Sequence, residues 1–184
     1  MAVMRLAPLA LSLSVAAGVA LIAPEAQAIP PELRDGTKAN RFEFGPHVGY
    51  GWGRGIGPAG SVWLDYLYHF KGNAEGPALG VVTHVGGWRD YIGFSAGPMF
   101  EWDFKLVPSK PLGLYLGPHF AAGYNFNRWR GIGYHGFFAM AGPTLKLIVN
   151  DFWCFWARPA NFDIRWYDGF HGNYGAAIGA GITW

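Results

Sequence analysis

From Tyr174 to Trp184 the side chains alternate strictly between larger apolar and small. Tyr174, Ala176, Ile178, Ala180, Ile182 and Trp184 share one parity, and Gly175, Ala177, Gly179, Gly181 and Thr183 share the other. Successive residues of an extended chain point to opposite faces, so this pattern predicts a strand with one apolar face. A strand cannot stand alone, and the alternation recurs along the chain. In 41–51, Phe42, Phe44, Val48 and Tyr50 oppose Glu43, His47 and three glycines. In 61–70, Val62, Leu64, Tyr66, Tyr68 and Phe70 oppose Ser61, Asp65 and His69. In 91–103, Ile92, Phe94, Phe100 and Trp102 oppose Ser95, Glu101 and Asp103. In 112–125, Leu112, Leu114, Leu116, Phe120 and Tyr124 oppose Tyr115, His119 and Asn125; in 134–149, Phe137, Leu145, Leu147 and Val149 oppose Thr144 and Lys146.

Two further segments are less regular. Residues 78–86 are apolar on both parities, which leaves their facing open. Residues 152–166 change parity midway: Trp156 and Arg158 share one, Asp163 and Arg165 the other, and a bulge near Pro159-Ala160 repairs the register. The total is eight strands. Gly53 to Gly60, Gly86 to Asp90, Asn125 to Gly133 and Asp168 to Asn173 read as loops at one end. Lys71 to Pro77, Lys105 to Pro111 and Asn150-Asp151 read as turns at the other. Four Gly-Pro pairs, at Gly45, Gly97, Gly117 and Gly142, recur within strands, with their prolines on the apolar parity. Proline removes a ladder hydrogen bond, so local bulges are expected there.

Composition decides what the apolar faces touch. Charged residues make up 14% and aromatics 17%, with 28 glycines; a soluble domain usually carries about 25% charged residues. The surface suits lipid. Beyond residue 28 no apolar run reaches the roughly 18 residues of a spanning helix. In hydrocarbon every backbone N–H and C=O must be paired, and a closed barrel is the alternative to a helix. The expected fold is therefore all-β, an eight-stranded antiparallel up-and-down transmembrane barrel.

The chain opens on an export leader. Arg5 is its positive region, Leu9 to Ile22 its apolar run, and Ala26-Gln27-Ala28 its small-x-small cleavage pattern. The expected organisation is 1–28 signal peptide, 29–40 short periplasmic segment and 41–184 barrel, with Sec-type export and cleavage near Ala28. The formal net charge of +2 is too mild for nucleic acid, and no basic run supports it. Cys154 is the sole cysteine and has no internal disulfide partner. It reads as inward packing.

From 41 to 184 the chain resembles the small eight-stranded Gram-negative outer-membrane barrels, the OmpA/OmpX-like group. The specific part is Tyr174 to Trp184, similar to the C-terminal signal read by the barrel-assembly machinery, with Tyr174, Ile178, Ile182 and Trp184 as its apolar positions. That signal usually ends in Phe, so Trp184 departs from it. The resemblance implies a fold, a location in the cell outer membrane, and contact with its lipid and with the assembly machinery during insertion. It implies no reaction.

Three constellations are candidates for function. Arg54, Arg89, Arg128, Arg130 and Arg165 fall at the loop end, and Lys38, Lys71, Lys105, Lys110 and Lys146 at the other. Guanidinium is a bidentate phosphate partner, so these arginines, with Trp52, Trp88, Trp129 and Trp166 as interfacial anchors, are expected to contact lipopolysaccharide phosphates. The second is the inward polar set: Glu43, His47, Asp65, His69, Glu101, Asp103, His119, Lys146 and Arg158, with Ser95, Thr144, Asp163 and Arg165. An eight-stranded barrel is just wide enough for its side chains to fill, so these predict a closed, polar-plugged lumen without catalysis. The third is an active site. Lipid A-modifying enzymes use this barrel, but no histidine here has Ser at plus two and no Asp-Ser pair exists. A triad of His47, Asp65 and Ser61 or Ser95 is the remaining candidate, and catalysis is not expected. The six histidines lack i, i+2 or i, i+4 pairs, and no Cys-x-x-Cys exists, so neither metal nor cofactor is expected. A soluble, exported, lipocalin-like carrier is the other alternative, opposed by the extent of the outward apolar face.

Overall fold

A computed structural model describes residues 38–53, 57–88, 91–109, 112–166 and 169–184. The expected leader, the segment up to residue 37, and Arg54, Arg89 and Lys110 lie outside the described residues. Eight strands follow in chain order: β1 (Asn40–Gly53), β2 (Gly57–His69), β3 (Gly76–Trp88), β4 (Tyr91–Ser109), β5 (Leu112–Trp129), β6 (Ile132–Val149), β7 (Trp153–Trp166) and β8 (Phe170–Thr183). Each pairs antiparallel with its neighbour, and β8 returns to β1, so the sheet closes. Asn40 and Trp184 exchange backbone hydrogen bonds, each N–H to the other's C=O at 3.1 Å, and seal the first strand to the last. Closure leaves no edge.

The facing follows the alternation. Along β1, Arg41, Glu43, Gly45 and His47 are buried, while Phe42, Phe44, Pro46 and Val48 are exposed. In β3, whose facing the sequence left open, Ala78, Val82 and His84 turn in and Leu79 and Val85 turn out. In β7 the register shifts between Arg158 and Asn161, where the parity change placed a bulge. Asn161 and Asp163 consequently join Arg158 inside.

The hairpins are tighter than the expected loops. Asn125–Gly133 is mostly strand, because β5 runs to Trp129 and β6 restarts at Ile132. The two residues between, Arg130 (φ 47) and Gly131 (φ 86), are both left-handed, as a two-residue hairpin turn requires. Asn150 (φ 53) and Asp151 (φ 55) are likewise left-handed at the opposite end, where three residues separate β6 from β7. There β4 continues to Ser109, six residues beyond the expected 103.

The Gly-Pro pairs have a packing explanation. All four prolines face outward. A Cβ on the preceding glycine would lie 2.0 Å from the Ile178 carbonyl oxygen at Gly45, 2.2 Å from that of Ala122 at Gly97, 1.7 Å from that of Trp102 at Gly117 and 2.3 Å from that of Ala160 at Gly142. Only glycine admits the neighbouring backbone so closely. The expected bulges form at one of the four: the register shifts opposite Pro143. At Gly45-Pro46 and Gly97-Pro98 pairing lapses on one side and resumes in the same register.

Candidate functional site

The lumen collects the polar residues of the chain into layers. The layer nearest the termini is ionic. Arg41, on the first turn-in of β1, reaches Glu43 at 2.7 Å and Asp103 at 3.0 Å, and contacts Glu101. Lys146 from β6 reaches Asp103 at 2.7 Å and contacts Glu101. Arg158 from β7 pairs with Asp65 at 2.5 Å and Glu43 at 3.3 Å. Its guanidinium lies 5.1 Å from the Trp63 ring centre and 4.6 Å from that of Trp156. His69 Nε2 sits 2.9 Å from Asp103. All are buried. Three cations and four carboxylates thus interlock across five strands. Cys154 packs with Ala74, Tyr115 and Ile148 beneath them, its thiol 3.5 Å from Glu43.

A middle layer is neutral and bonded. His119 Nε2 donates to Asn161 Oδ1 and Nδ1 accepts from the Thr144 hydroxyl, both at 2.9 Å. Trp63 stacks between His47 (5.0 Å) and His84 (4.3 Å).

The layer nearest the loops is looser. His47, Ser61, His84, Ser95, Arg165 and Asn173 line a cleft of about 20 Å³ there, with glycines completing its wall. Trp63 Nε1 donates to Ser61 Oγ at 3.1 Å, and Ser61 lies 3.3 Å from His47 Nδ1. His47 Nε2, both ring nitrogens of His84, Asn125 Nδ2, Asp163 Oδ1 and Asn173 Oδ1 have no hydrogen-bond partner.

The drawn triad is not assembled. Asp65 is held by Arg158, and the Ser95 hydroxyl donates to Asn125 at 2.8 Å. His47 pairs in register with Ser61, whereas Asp65 pairs with Glu43, four residues along β1. Strand offset separates the base from its acid. Among the described residues no group of three His, Cys, Asp or Glu is placed to hold a metal ion.

Of the loop-end arginines, Arg128 and Arg130 are exposed at the β5–β6 turn, with Arg130 over Trp129 at 5.2 Å. Arg165 is instead drawn to Asp163 at 2.6 Å. Arg41, central to the ionic layer, was missed, although it shares the parity of Glu43. Trp63 shares that of Asp65, and polarity alone did not flag it. Asn161 was hidden by the bulge and His84 by its two-sided apolar strand. Tyr174, Ile178 and Trp184 are exposed on the outer wall.

The outer wall inverts the lumen. Phe44, Val62, Phe120, Phe162 and Ile178 stand exposed around it. Trp52, Trp129 and Trp166 ring the loop end, and Trp102, Trp153 and Trp184 the termini end. Among solved structures the chain matches Neisserial surface protein A with a TM-score of 0.58 and 11% identity, over 79% of this chain and 97% of that one. This chain has the fold of the small eight-stranded outer-membrane barrels. The barrel also matches the N-terminal domain of Pseudomonas aeruginosa OprF (TM-score 0.47, 15% identity, 80% and 98% covered). The attachment invasion locus protein Ail of Yersinia pestis matches with a TM-score of 0.46 and 13% identity, 80% and 99% covered. No protein-family model and no curated protein sequence matches the chain.

Proposed function

We propose that the chain is an integral outer-membrane protein whose role is structural, a barrel that spans the bilayer with its lumen closed by the ionic layer. The observation that carries this reading is the inverted polarity: buried ions within, exposed aromatic and aliphatic side chains without. In water such a wall would cost roughly 25 cal/mol per Å² of exposed apolar area, a cost that lipid removes. The same inversion disfavours a soluble ligand carrier. Two rings of tryptophan near the strand ends fit the two interfaces of a bilayer. The reading includes export with cleavage near Ala28, insertion by the barrel-assembly machinery through Tyr174, Ile178, Ile182 and Trp184, and contact with outer-leaflet lipid. No catalytic step is assigned: Ser61 lies 3.3 Å from His47, but the acid Asp65 is held by Arg158 and Ser95 by Asn125.

Heat-modifiable gel mobility tests it. The detergent-folded protein should run faster before boiling than after and show β-type circular dichroism. A single mobility, together with solubility in plain buffer, overturns the membrane reading.

A narrower reading concerns the loop end, where Arg128 and Arg130 are exposed beside Trp129. With Arg54 and Arg89, they are proposed to address the phosphates of lipopolysaccharide; Arg165, drawn to Asp163, is not among them. Phosphates are bound by guanidinium in bidentate fashion.

A further inference from the structure

The outer wall carries a polar cluster beside Arg128, one of the loop-end arginines. Tyr124, on the outward face of β5, is hydrogen-bonded through its hydroxyl to His135 Nδ1 on β6. His135 is exposed, and its ring centre lies 5.1 Å from that of Phe126. Register places His135 opposite Phe126 and Arg128 opposite Gly133. Arg128 and His135 are therefore diagonal neighbours on one face, a separation that long side chains span. Arg128 is exposed and has no ion pair or hydrogen bond among the described residues. Gly133 has no side chain there, and the Phe126 ring lies over it, 3.1 Å from where a Cβ would stand. Among the described residues the surrounding outward side chains are apolar, with Ile92 56% and Phe137 74% exposed, and none is acidic. This exposed cation, with a polar dyad beside it, stands within a few residues of the β5–β6 turn.

Uncompensated polar groups on a lipid-facing wall are costly at the bilayer centre and belong at headgroup depth. Resting on the membrane reading, we infer that Arg128 and His135 clamp the phosphate of a lipid headgroup on the outside of β5 and β6, with Tyr124 as a positioning residue. The Tyr124 hydroxyl donates to Nδ1, which places the imidazole proton on Nε2. Nε2–H then donates to one phosphate oxygen and the Arg128 guanidinium to another. Acyl chains run along Ile92, Phe126 and Phe137 below. The lipid is recognised by a phosphate that carries no compensating choline.

Native mass spectrometry of the detergent-folded protein tests this, with dimyristoyl phosphatidic acid, dimyristoyl phosphatidylcholine and inorganic phosphate titrated separately. Phosphatidic acid should be retained about tenfold better than phosphatidylcholine, the size of one exposed charge-assisted hydrogen bond. Arg128→Ala should remove that preference and His135→Ala should reduce it severalfold. Lys71→Ala, an exposed cation at the opposite end of the barrel, should leave it unchanged. Tyr124→Phe should weaken it less and move the ¹⁵N imidazole signals of His135 away from the Nε2–H tautomer, which a merely structural tyrosine would not do. Equal retention of both lipids, or full preference in Arg128→Ala, overturns the clamp. Competition by inorganic phosphate at the lipid's own concentration overturns the lipid assignment in favour of a free anion. A protein that keeps its heat-modifiable mobility while losing lipid preference separates failure of the clamp from failure of the membrane reading.

Discussion

The two halves of the lumen are built from the same wall but filled differently. Toward the termini, every one of Arg41, Glu43, Asp65, Glu101, Asp103, Lys146 and Arg158 has an opposite charge within ion-pair distance. Toward the loops, His84 is buried with neither ring nitrogen hydrogen-bonded, and Asn125 and Asn173 each leave one amide atom unpartnered. A buried charge must be paired or it is prohibitively costly, whereas a neutral amide or imidazole tolerates partial satisfaction at smaller expense. The ionic half therefore pairs every charge, although Asp65 Oδ1 and Glu101 Oε2 accept no hydrogen bond. The half beside the loops, where Arg165 sits on Asp163 among neutral groups, leaves several of those groups unpartnered and keeps a cleft.

The largest expected effect is in the ionic half. Arg158→Ala strands Asp65 and part of Glu43 in a buried site, and should cost about 3–5 kcal/mol in urea unfolding from vesicles. A loss under about 1 kcal/mol would mean that the layer is hydrated and the contrast between halves is false.

Two histidines sharpen the contrast. His119 has both nitrogens bonded, to Thr144 and Asn161. His119→Leu strips Asn161 Oδ1 of this bond and leaves Thr144 only the Arg158 Nε at 3.3 Å, and should cost about 1–3 kcal/mol by the same assay. His84 leaves nothing orphaned when removed, so His84→Leu should change stability by less than about 1 kcal/mol, in either direction. Should the two prove equal, hydrogen bonding would not distinguish the layers. Smallest of all is Ser61→Ala. It frees only the Trp63 indole N–H and one side of His47 beside a cleft, and should cost under about 1 kcal/mol, with a small shift in Trp63 fluorescence.

The barrel was legible because its period is two and its faces differ in polarity. Phe42, Phe44, Glu43 and His47 declare their sides without any neighbour. Where both faces are apolar, as at Val81 and Val82, alternation has no contrast to read, and only pairing with β2 and β4 turns His84 inward. Proline chemistry also misled in part. A missing N–H was expected to force bulges at all four Gly-Pro pairs, yet the preceding glycine lets the neighbouring strand approach and the register mostly survives. The ionic layer was partly foreseen, but its geometry was not. Which carboxylate meets which cation depends on the stagger of β1 against β4, β6 and β7 across the lumen, which no local pattern encodes. The same stagger is why His47, Asp65 and Ser95 could be drawn together yet stand apart.

The central claim is that the aromatic and aliphatic wall meets lipid while the ions and Trp63 do not. It is tested most directly by ¹⁹F spectra of the 5-fluorotryptophan-labelled barrel in vesicles containing lipid spin-labelled along its acyl chains, with signals assigned by single Trp→Phe variants. Trp102, Trp129, Trp153, Trp166 and Trp184, all exposed on the barrel, should broaden. Trp63 and Trp156, buried in the lumen, should stay narrow. Outward signals as narrow as those of Trp63 and Trp156 would contradict the account, because the wall would then face water or protein instead of a bilayer.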